Sequence, residues 1–451
     1  MTSKVGAVTV VGLMIACSAI AHGQVGRTEI TKWQYGKSGA VSLTYDDGTI
    51  NQFRVAVPIM DSFGFPATFF IITGNIPGSQ YHGTFVGRPT KAIIEETASI
   101  PTNRDNFLER ASAIPFLGDQ GAIDYQTRAG EVYDEGKNVE QAYQLIDECY
   151  AKVRQGAFPR GEEHEASPAS LNNITWEELR ALSQRGYEFA SHTVTHPRLA
   201  VLDDANLAYE LEKSRQDILD HLGFKHTFSV ECPYGTENER AVHSALLRYQ
   251  VARNHMPDAF VDDLDRWNNM DPAASREEYV RWQRGPLTET PMGLMKSWVD
   301  KTAAQDNIWL VLVFHGVDGV GWKPKTGAEL RDYFGYVKSK ADRLWVATFQ
   351  DVTKYMRERM HGQVFSYGEG DVISVVLRSD LTDVSYGLPL TLKTYVPSSW
   401  QTAEVRQGKR TNHVIVGRDN SMSYVLYQAV PNAEVVTLSA VAAETQQSQT
   451  K

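Results

Sequence analysis

The sequence predicts an α/β chain: a closed or nearly closed (β/α) barrel carrying a large insertion, followed by a small all-β sandwich. Three observations carry that prediction. Between residues 40 and 360, short β-type runs alternate with segments of helical spacing, which implies a parallel sheet. A stretch of low strand character, about residues 77–170, interrupts the alternation. Beyond Gly370 the texture changes to β-type runs alone.

Taken in order, Ala40 to Tyr45 is an apolar run that ends at Asp46 and Asp47, and Pro66 to Thr73 repeats it with Ala67, Phe69, Phe70, Ile71 and Ile72. Both read as buried strands. Thr175 to Arg185 places Trp176, Leu179 and Leu182 at helical spacing behind Thr175, with Glu178 three residues on, the pattern of a capping box. A turn at Gly186 leads into a strand from Tyr187 to Ser191. Then follow a helix over Leu207 to Leu222, a strand at Thr227 to Glu231, a helix over Glu237 to Gln250 and the very apolar strand Ile308 to Phe314. A helix over Gly327 to Lys340, the segment Leu344 to Phe349 and a closing helix from Gln350 to Met360 complete the barrel, set at residues 30–361. The insertion shows helix-like stretches at Asn106 to Ala113 and Val139 to Val153, and its place is over one barrel face, where loop variation sets substrate choice. Five β runs, Val372 to Leu377, Leu388 to Tyr395, His413 to Val416, Tyr424 to Val430 and Val435 to Val441, read as a sandwich at residues 371–441, with a polar tail over 442–451.

Composition narrows the function classes. With 451 residues, 42% of them hydrophobic and 22% charged, the chain has apolar material for a large core and a smaller domain. Its net charge of −10 comes without a long Lys/Arg run, so it offers no electrostatic footprint for nucleic acid. Lys4 followed by the apolar stretch Val5 to Ala21, ending Ala19, Ile20, Ala21, reads as a signal peptide over residues 1–21. That stretch is short for a span of roughly 20 residues, so no stable membrane insertion is expected. The folded part is placed outside the cytoplasm, secreted or periplasmic; the alternatives are an uncleaved anchor and a precursor lipid-anchored through Cys17. Cys149 and Cys232 are too few for a disulfide framework and are expected to remain unpaired.

Four clusters stand at the C-terminal ends of expected strands, where barrel active sites assemble. In Thr44, Tyr45, Asp46, Asp47, Gly48, adjacent carboxylates repel, and burying them calls for a cation or a division of roles; read alone, the motif is an ordinary turn. In His192 to Pro197, two histidines lie four apart, and Pro197 steers His196 out of helical geometry, so a tight loop presents both imidazoles, as ligands or as structural histidines. Glu231, Cys232, Pro233, Tyr234, Gly235 is a strand end with a turn that can aim N–H groups at a substrate. Leu312, Val313, Phe314, His315, Gly316 ends the most apolar strand in a histidine, whose pKa burial lowers and a neighbouring carboxylate raises.

Together and in this order, these clusters resemble carbohydrate esterase family 4, the polysaccharide deacetylases with a NodB-like domain, over roughly Gly39 to Arg359 apart from the insertion. The resemblance implies a distorted (β/α) barrel and one divalent metal ion, zinc in most members, cobalt or nickel in some. By position it makes Asp46 the catalytic base and Asp47, His192 and His196 the metal ligands. It makes the Tyr234 backbone N–H the oxyanion donor and His315 the general acid. Leu312, Tyr234 and Trp267 are candidates for the walls of the acetyl pocket and the sugar platform. The partner it implies is an acetylated glycan, with N-acetyl groups the first choice.

The pattern breaks in two places. Many members carry an arginine at the position of Glu231; here a carboxylate stands there and is expected to raise the pKa of Asp46, with Arg253 on the following strand supplying the missing cation. The family's Asp-x-x-Asp-Trp element is imperfect over Asp262, Asp265 and Trp267. Three other readings compete: an O-acetyl esterase of the xylan type, a non-catalytic carbohydrate-binding protein on the same fold, and an amidohydrolase of small amides.

Overall fold

The structure, a computed structural model of the chain, describes residues 25–134, 138–161, 174–235, 237–265, 268, 270–419 and 422–441. Residues 1–21, read as a signal peptide, with Cys17 among them, the tail over 442–451 and Trp267 lie outside the described residues. The chain divides into two compact units, Gly39–Gln350, and Met1–Ser38 taken with Asp351–Lys451.

The unit Gly39–Gln350 is built on a nine-stranded sheet in which every pairing is parallel. From one edge to the other run Val251–Ala252, Ser229–Val230, Glu188–Ser191, Thr68–Ile71, Gly39–Tyr45, Ile308–Phe314, Tyr279–Arg284 and Val261–Leu264, and Leu344–Val346 pairs with the start of Gly39–Tyr45. The sheet curls into an open half-barrel. Among the described residues its two end strands form no ladder with each other, which is the distorted form of the (β/α) barrel that the resemblance implies. The edges explain this: one strand has two residues, and the other spends Asp263 on Arg281 and on the N–H of Met256.

Strand alternation gives the sheet two unlike faces. Outward, Val41, Leu43 and Tyr45, Phe69 and Ile71, Phe189, and Leu310, Leu312 and Phe314 share one apolar core with the helices that cover the sheet. From those helices come Val57 and Met60, Leu179 and Leu182, Met295 and Trp298, and Leu330 and Phe334. Inward, the buried set is mixed. Trp309 Nε1 donates to Ser42 Oγ at 3.0 Å. The buried Glu188 carboxylate accepts from Thr68 Oγ1 at 2.7 Å, Ser229 Oγ at 3.0 Å and the N–H of Gln350 at 2.9 Å, in the first turn of the helix Phe349–Met360. The capping box at Thr175 and Glu178 starts the helix Trp176–Ser183, and Thr326 with Glu329 forms another ahead of Gly327–Lys338.

The insertion folds as helices, Thr90–Glu96, Phe107–Ala113, Ala122–Asp134 and Val139–Arg154, around a core of its own that includes Ile93, Phe107, Leu145, Ile146 and Tyr150. A fully buried arginine ties it together. Arg110 donates to Glu96 Oε1 at 3.0 Å, to Thr102 Oγ1 at 2.9 Å and to the carbonyl of Ile100 at 3.0 Å. Cys149 and Cys232 are both buried and neither is in a disulfide, and among the described residues no helix is long and apolar enough to cross a membrane.

The other unit holds two antiparallel sheets. One orders Thr28–Ile30, Leu390–Val396, Met422–Ala429, Gly417–Asp419; the other orders Gly362–Glu369, Val372–Ser379, Asn432–Ala440, Thr402–Gln407, Arg410–Ile415. Burial alternates along Val372–Ser379 and Met422–Ala429, so each sheet buries one face. The β region is therefore wider than residues 371–441: it draws in Thr28–Ile30 and Gly362–Glu369.

Hydrogen bonds from Arg88 and then Arg110 draw the Glu96 carboxyl down from 4.5 to about 2. A carboxylate depressed on folding stabilises the native state above its unfolded pKa, and that contribution fades as pH falls toward the folded value. Glu96→Gln is accordingly expected to lower the melting temperature at pH 7, with a penalty that shrinks as pH falls below the unfolded pKa and vanishes below about pH 2; a penalty that stays constant between pH 7 and pH 2 contradicts the assignment.

Candidate active site

Each site residue sits where a parallel strand ends and its loop begins. The N–H of Asp46 still bonds the carbonyl of Phe314 at 3.0 Å, so Asp46 extends the strand Gly39–Tyr45, while Asp47 turns away with φ 75°. His192 likewise extends Glu188–Ser191, its N–H on the carbonyl of Ile71. The chain then passes through Thr193 at φ 67° and reaches His196 at φ 64°, so Pro197 does end a tight loop and not a helix. Tyr234 follows at φ 69°. Positive φ at a residue with a side chain is strained and persists where the surroundings impose it; these residues gather at one end of the sheet.

Those surroundings are identifiable. The buried Glu210 carboxylate, on the helix Asp204–Leu222, accepts from the N–H of Val194 at 2.8 Å, the N–H of Thr195 at 2.9 Å and Thr195 Oγ1 at 2.7 Å. Gly74 lies so close beneath the loop that a Cβ on it would stand 2.5 Å from the Val194 carbonyl. Gln52 donates through Nε2 to the carbonyls of Asp46 and His315, the second at 2.8 Å, joining two of the loops.

The geometry brings five side chains together. Asp47 Oδ1 is 3.7 Å from His192 Nε2 and 3.5 Å from His196 Nε2, and one ligand atom from each of the three lies within 4.8 Å of the others. His192 Nδ1 is 2.9 Å from the carbonyl of Glu231, a contact that leaves Nε2 facing Asp47. Burial and the neighbouring His192 hold His196 well below the usual histidine range, so its ring keeps a free lone pair. Two imidazoles and a carboxylate, with an outer carbonyl fixing one ring, are a donor set that fits a zinc-type divalent ion. His315 Nε2 stands 3.4 Å from Asp46 Oδ2.

Asp46 is buried, and its counter-charge is Arg253. The guanidinium meets the carboxylate with both Nη atoms, Nη2 to Oδ2 at 2.8 Å, and reaches Glu231 Oε1 at 2.7 Å. Burial pushes the Asp46 pKa up, but Arg253 and His315 outweigh it and hold the group well below the usual carboxylate range. This corrects the expectation that Glu231 would raise it: the guanidinium stands on both carboxylates and neutralises the added charge. Below them Asn254 Nδ2 donates to Glu231 Oε1 at 3.2 Å and to Glu237 Oε1 at 3.0 Å.

Leu312 is not a pocket wall. It is fully buried in the core between sheet and helices, on the face opposite Arg253, because strand alternation puts Val311 and Val313 inward in its place. Tyr234 is at the site, its ring 4.8 Å from that of His196 and 4.3 Å beneath the guanidinium carbon of Arg198. The Asp-x-x-Asp-Trp element is engaged locally: Asp262 accepts from Ser275 and Asp265 from the N–H of Asn268. Glu210 and Gln52 were not read from the sequence. A carboxylate at the core-facing position between Leu207 and Leu211 is a signal that could have found Glu210; Gln52 gives none.

Residues 34–98 and 131–251 match the family model for polysaccharide deacetylase, a span that includes Asp46, Asp47, His192, His196, Glu231 and Tyr234. Those two segments belong to the polysaccharide deacetylase family. A gellan lyase from a Bacillus species is 25% identical over 275 residues, 57% of this chain, and this chain spans 11% of its length. A polysaccharide deacetylase structure from Mycobacterium smegmatis is 15% identical over 75% of this chain and 96% of its own, with a TM-score of 0.36. The carbohydrate esterase family 4 domain of a multidomain xylanase from the hindgut metagenome of Trinervitermes trinervoides is 11% identical over 70% and 90%, with a TM-score of 0.32. At such scores the two structures add no argument to the family match. In this deacetylase domain Arg253 and His315 fall beyond the matched span.

Arg253→Met is expected to destabilise the domain by ~3–5 kcal/mol, because it leaves two buried carboxylates without their cation. The same change made in Asp46→Asn should cost less than it does in the wild type. Denaturant melts of the four proteins measure the coupling, and strictly additive losses rule the ion triad out as its source.

Proposed function

We propose that this domain is a metal-dependent hydrolase that removes acetyl groups, N-acetyl in the first place, from a polysaccharide or oligosaccharide. The observation that carries the reading is the convergence of Asp46, Asp47, His192, His196 and His315 at the C-terminal ends of the strands of a deacetylase-family barrel. Asp47, His192 and His196 would hold one divalent ion, zinc by the chemistry of the donors. When bound, that ion supplies Lewis-acid polarisation of the acetyl carbonyl and a lowered pKa for water.

The chain's own residues do the rest. Asp46, kept anionic and in place by Arg253, accepts the proton of the attacking water at a carboxylate oxygen. The backbone N–H of Tyr234 donates to the carbonyl oxygen as negative charge gathers there, an oxyanion contact worth roughly 3 kcal/mol in comparable sites. His315 delivers a proton from Nε2 to the departing amine as the C–N bond breaks, or to a hydroxyl where an ester is cleaved. Its distance to Asp46 suits a pair with divided roles, base on one side and acid on the other. Secretion under the leader read at residues 1–21 fits a polymeric substrate and forms part of the proposal.

Acetate release from chitin oligomers, peptidoglycan and acetylxylan, measured with chelator and again with added zinc, tests all of this. The expected result is release from an N-acetylated glycan that chelator abolishes and zinc restores, with His192→Ala and Asp46→Asn each slower by ~10² or more. Release from acetylxylan alone transfers the reading to an O-acetyl esterase. Binding of glycan with no release from any of them makes this a carbohydrate-binding protein on the same fold, and full rates in chelator end the metal reading.

A further inference from the structure

The loop that follows His315 is more tightly built than a surface connection needs to be. The N–H of Gly316 bonds the carbonyl of Trp322 at 2.9 Å, Val317 and Val320 exchange N–H to carbonyl bonds at 2.9 and 3.1 Å, and the N–H of Lys325 returns to the carbonyl of Gly316 at 3.1 Å. A Cβ at Gly316 would lie 2.7 Å from the Val320 carbonyl, so the hairpin closes on itself only because that residue is glycine. Asp318 and Lys323 hold positive φ, 47° and 43°, on either side of the tip.

What this rigid loop presents is an indole. The Trp322 ring centroid lies 4.7 Å from that of His315 at an interplanar angle of 72°, and 49% of the residue remains exposed. An isolated exposed aromatic on a protein surface calls for no explanation. This one stands on a backbone held by hydrogen bonds and packs edge to face with the imidazole, on the barrel face where the site opens, and tryptophan offers a large flat apolar contact there.

We propose that Trp322 is a sugar-binding residue of this site: its exposed face stacks on the C–H face of the pyranose ring that carries the acetyl group and so sets the departing nitrogen or oxygen beside His315. The inference rests on the deacetylase reading and extends it, since it assigns the ligand a ring with an apolar face and gives the subsite next to the acid. The polar edge of that ring then points to solvent and to the metal-ligand side, and a flexible acetylated chain without a ring gains nothing from the indole.

Two measurements test it. Trp322→Ala and Trp322→Phe are compared on a β-1,4-linked N-acetylglucosamine pentamer, on an acetylated xylo-oligosaccharide and on a small acetyl ester without a sugar ring. The expected outcome is a KM for the cleaved oligomer about tenfold or more higher in the alanine variant, a kcat/KM loss at least ten times larger on the oligomer than on the small ester, and recovery to within about threefold in the phenylalanine variant. Equal losses on ringed and ringless substrates overturn the proposal in favour of a role in propping His315, and unchanged values on all of them overturn it outright. Separately, binding of the pentamer and of the xylo-oligosaccharide is titrated by calorimetry on Asp46→Asn with and without Trp322→Ala. Weaker binding without the indole supports the subsite even where no acetate is released, which is the failure of the deacetylase reading alone. Equal affinity in the two proteins, or no binding to either, overturns the subsite whatever the turnover.

Discussion

A single buried guanidinium between two carboxylates is the constraint on which the site depends. Removing three charged groups from water is expensive, and the arrangement stands only because Arg253 satisfies Asp46 through both Nη atoms and Glu231 through one of them. Its consequences reach both halves of the chemistry. Asp46 is held as an anion with one face on Arg253 and Oδ2 toward His315, and the residue that anchors the guanidinium from the other side, Glu231, also presents its carbonyl to His192 Nδ1. Asp46 and His192 are thus registered against each other through one residue at the end of Ser229–Val230. In this chain the strand Ser229–Val230 ends in the anion Glu231, and the cation Arg253 follows the next strand toward the sheet edge, Val251–Ala252.

The sidedness of the sheet makes such a pair affordable. Outward positions are almost wholly apolar and carry the burial that stabilises the unit, whereas inward positions hold Ser42, Thr44, Thr68, Glu188, Arg253 and Gln283, all buried and polar. An open half-barrel has no ring of interlocking aliphatic layers to fill its middle, so hydrogen-bonded networks occupy it. Those networks are directional where packing is not, and they fix the strand ends to one another. The opening between Val251–Ala252 and Val261–Leu264 costs the fold some pairing. It also leaves the strand that carries Arg253 free of a neighbour on its far side.

Much of this was legible in the sequence, and the exceptions share a physical cause. Ile308–Phe314, the capping box at Thr175 and the helix Asp204–Leu222 announce themselves through local pattern, so the structure returns them within a few residues. The strands Val251–Ala252 and Val261–Leu264 do not, because edge strands of two and four residues, the second with two aspartates, carry no periodicity to read. Thr28–Ile30 escapes for a different reason: its partner, Leu390–Val396, lies more than 350 residues away, and pairing at that distance leaves no trace in a short window. The five residues that gather at the site were legible because each lies directly after a strand or in the short loop that begins there. Leu312 was misassigned by the same proximity: nearness to His315 in sequence says nothing about which face a side chain takes, and a shift of one position along a strand reverses it.

That distinction also separates what supports the site from what forms it. Glu210, Gln52 and Gly74 act through contacts with backbone atoms of other loops; Glu210 shows only as a carboxylate at a core-facing helix position, and nothing about a glutamine or a glycine in a turn advertises such a task. Yet they impose the positive φ values at Asp47, Thr193 and His196 that turn two imidazoles and a carboxylate toward one point. The donors of a metal site are chosen by chemistry and can be read from residue type; their convergence is chosen by strain, and strain is held by whatever surrounds the loop. In this barrel the surroundings are buried hydrogen bonds to backbone, so the site is only as well ordered as the polar interior beneath it.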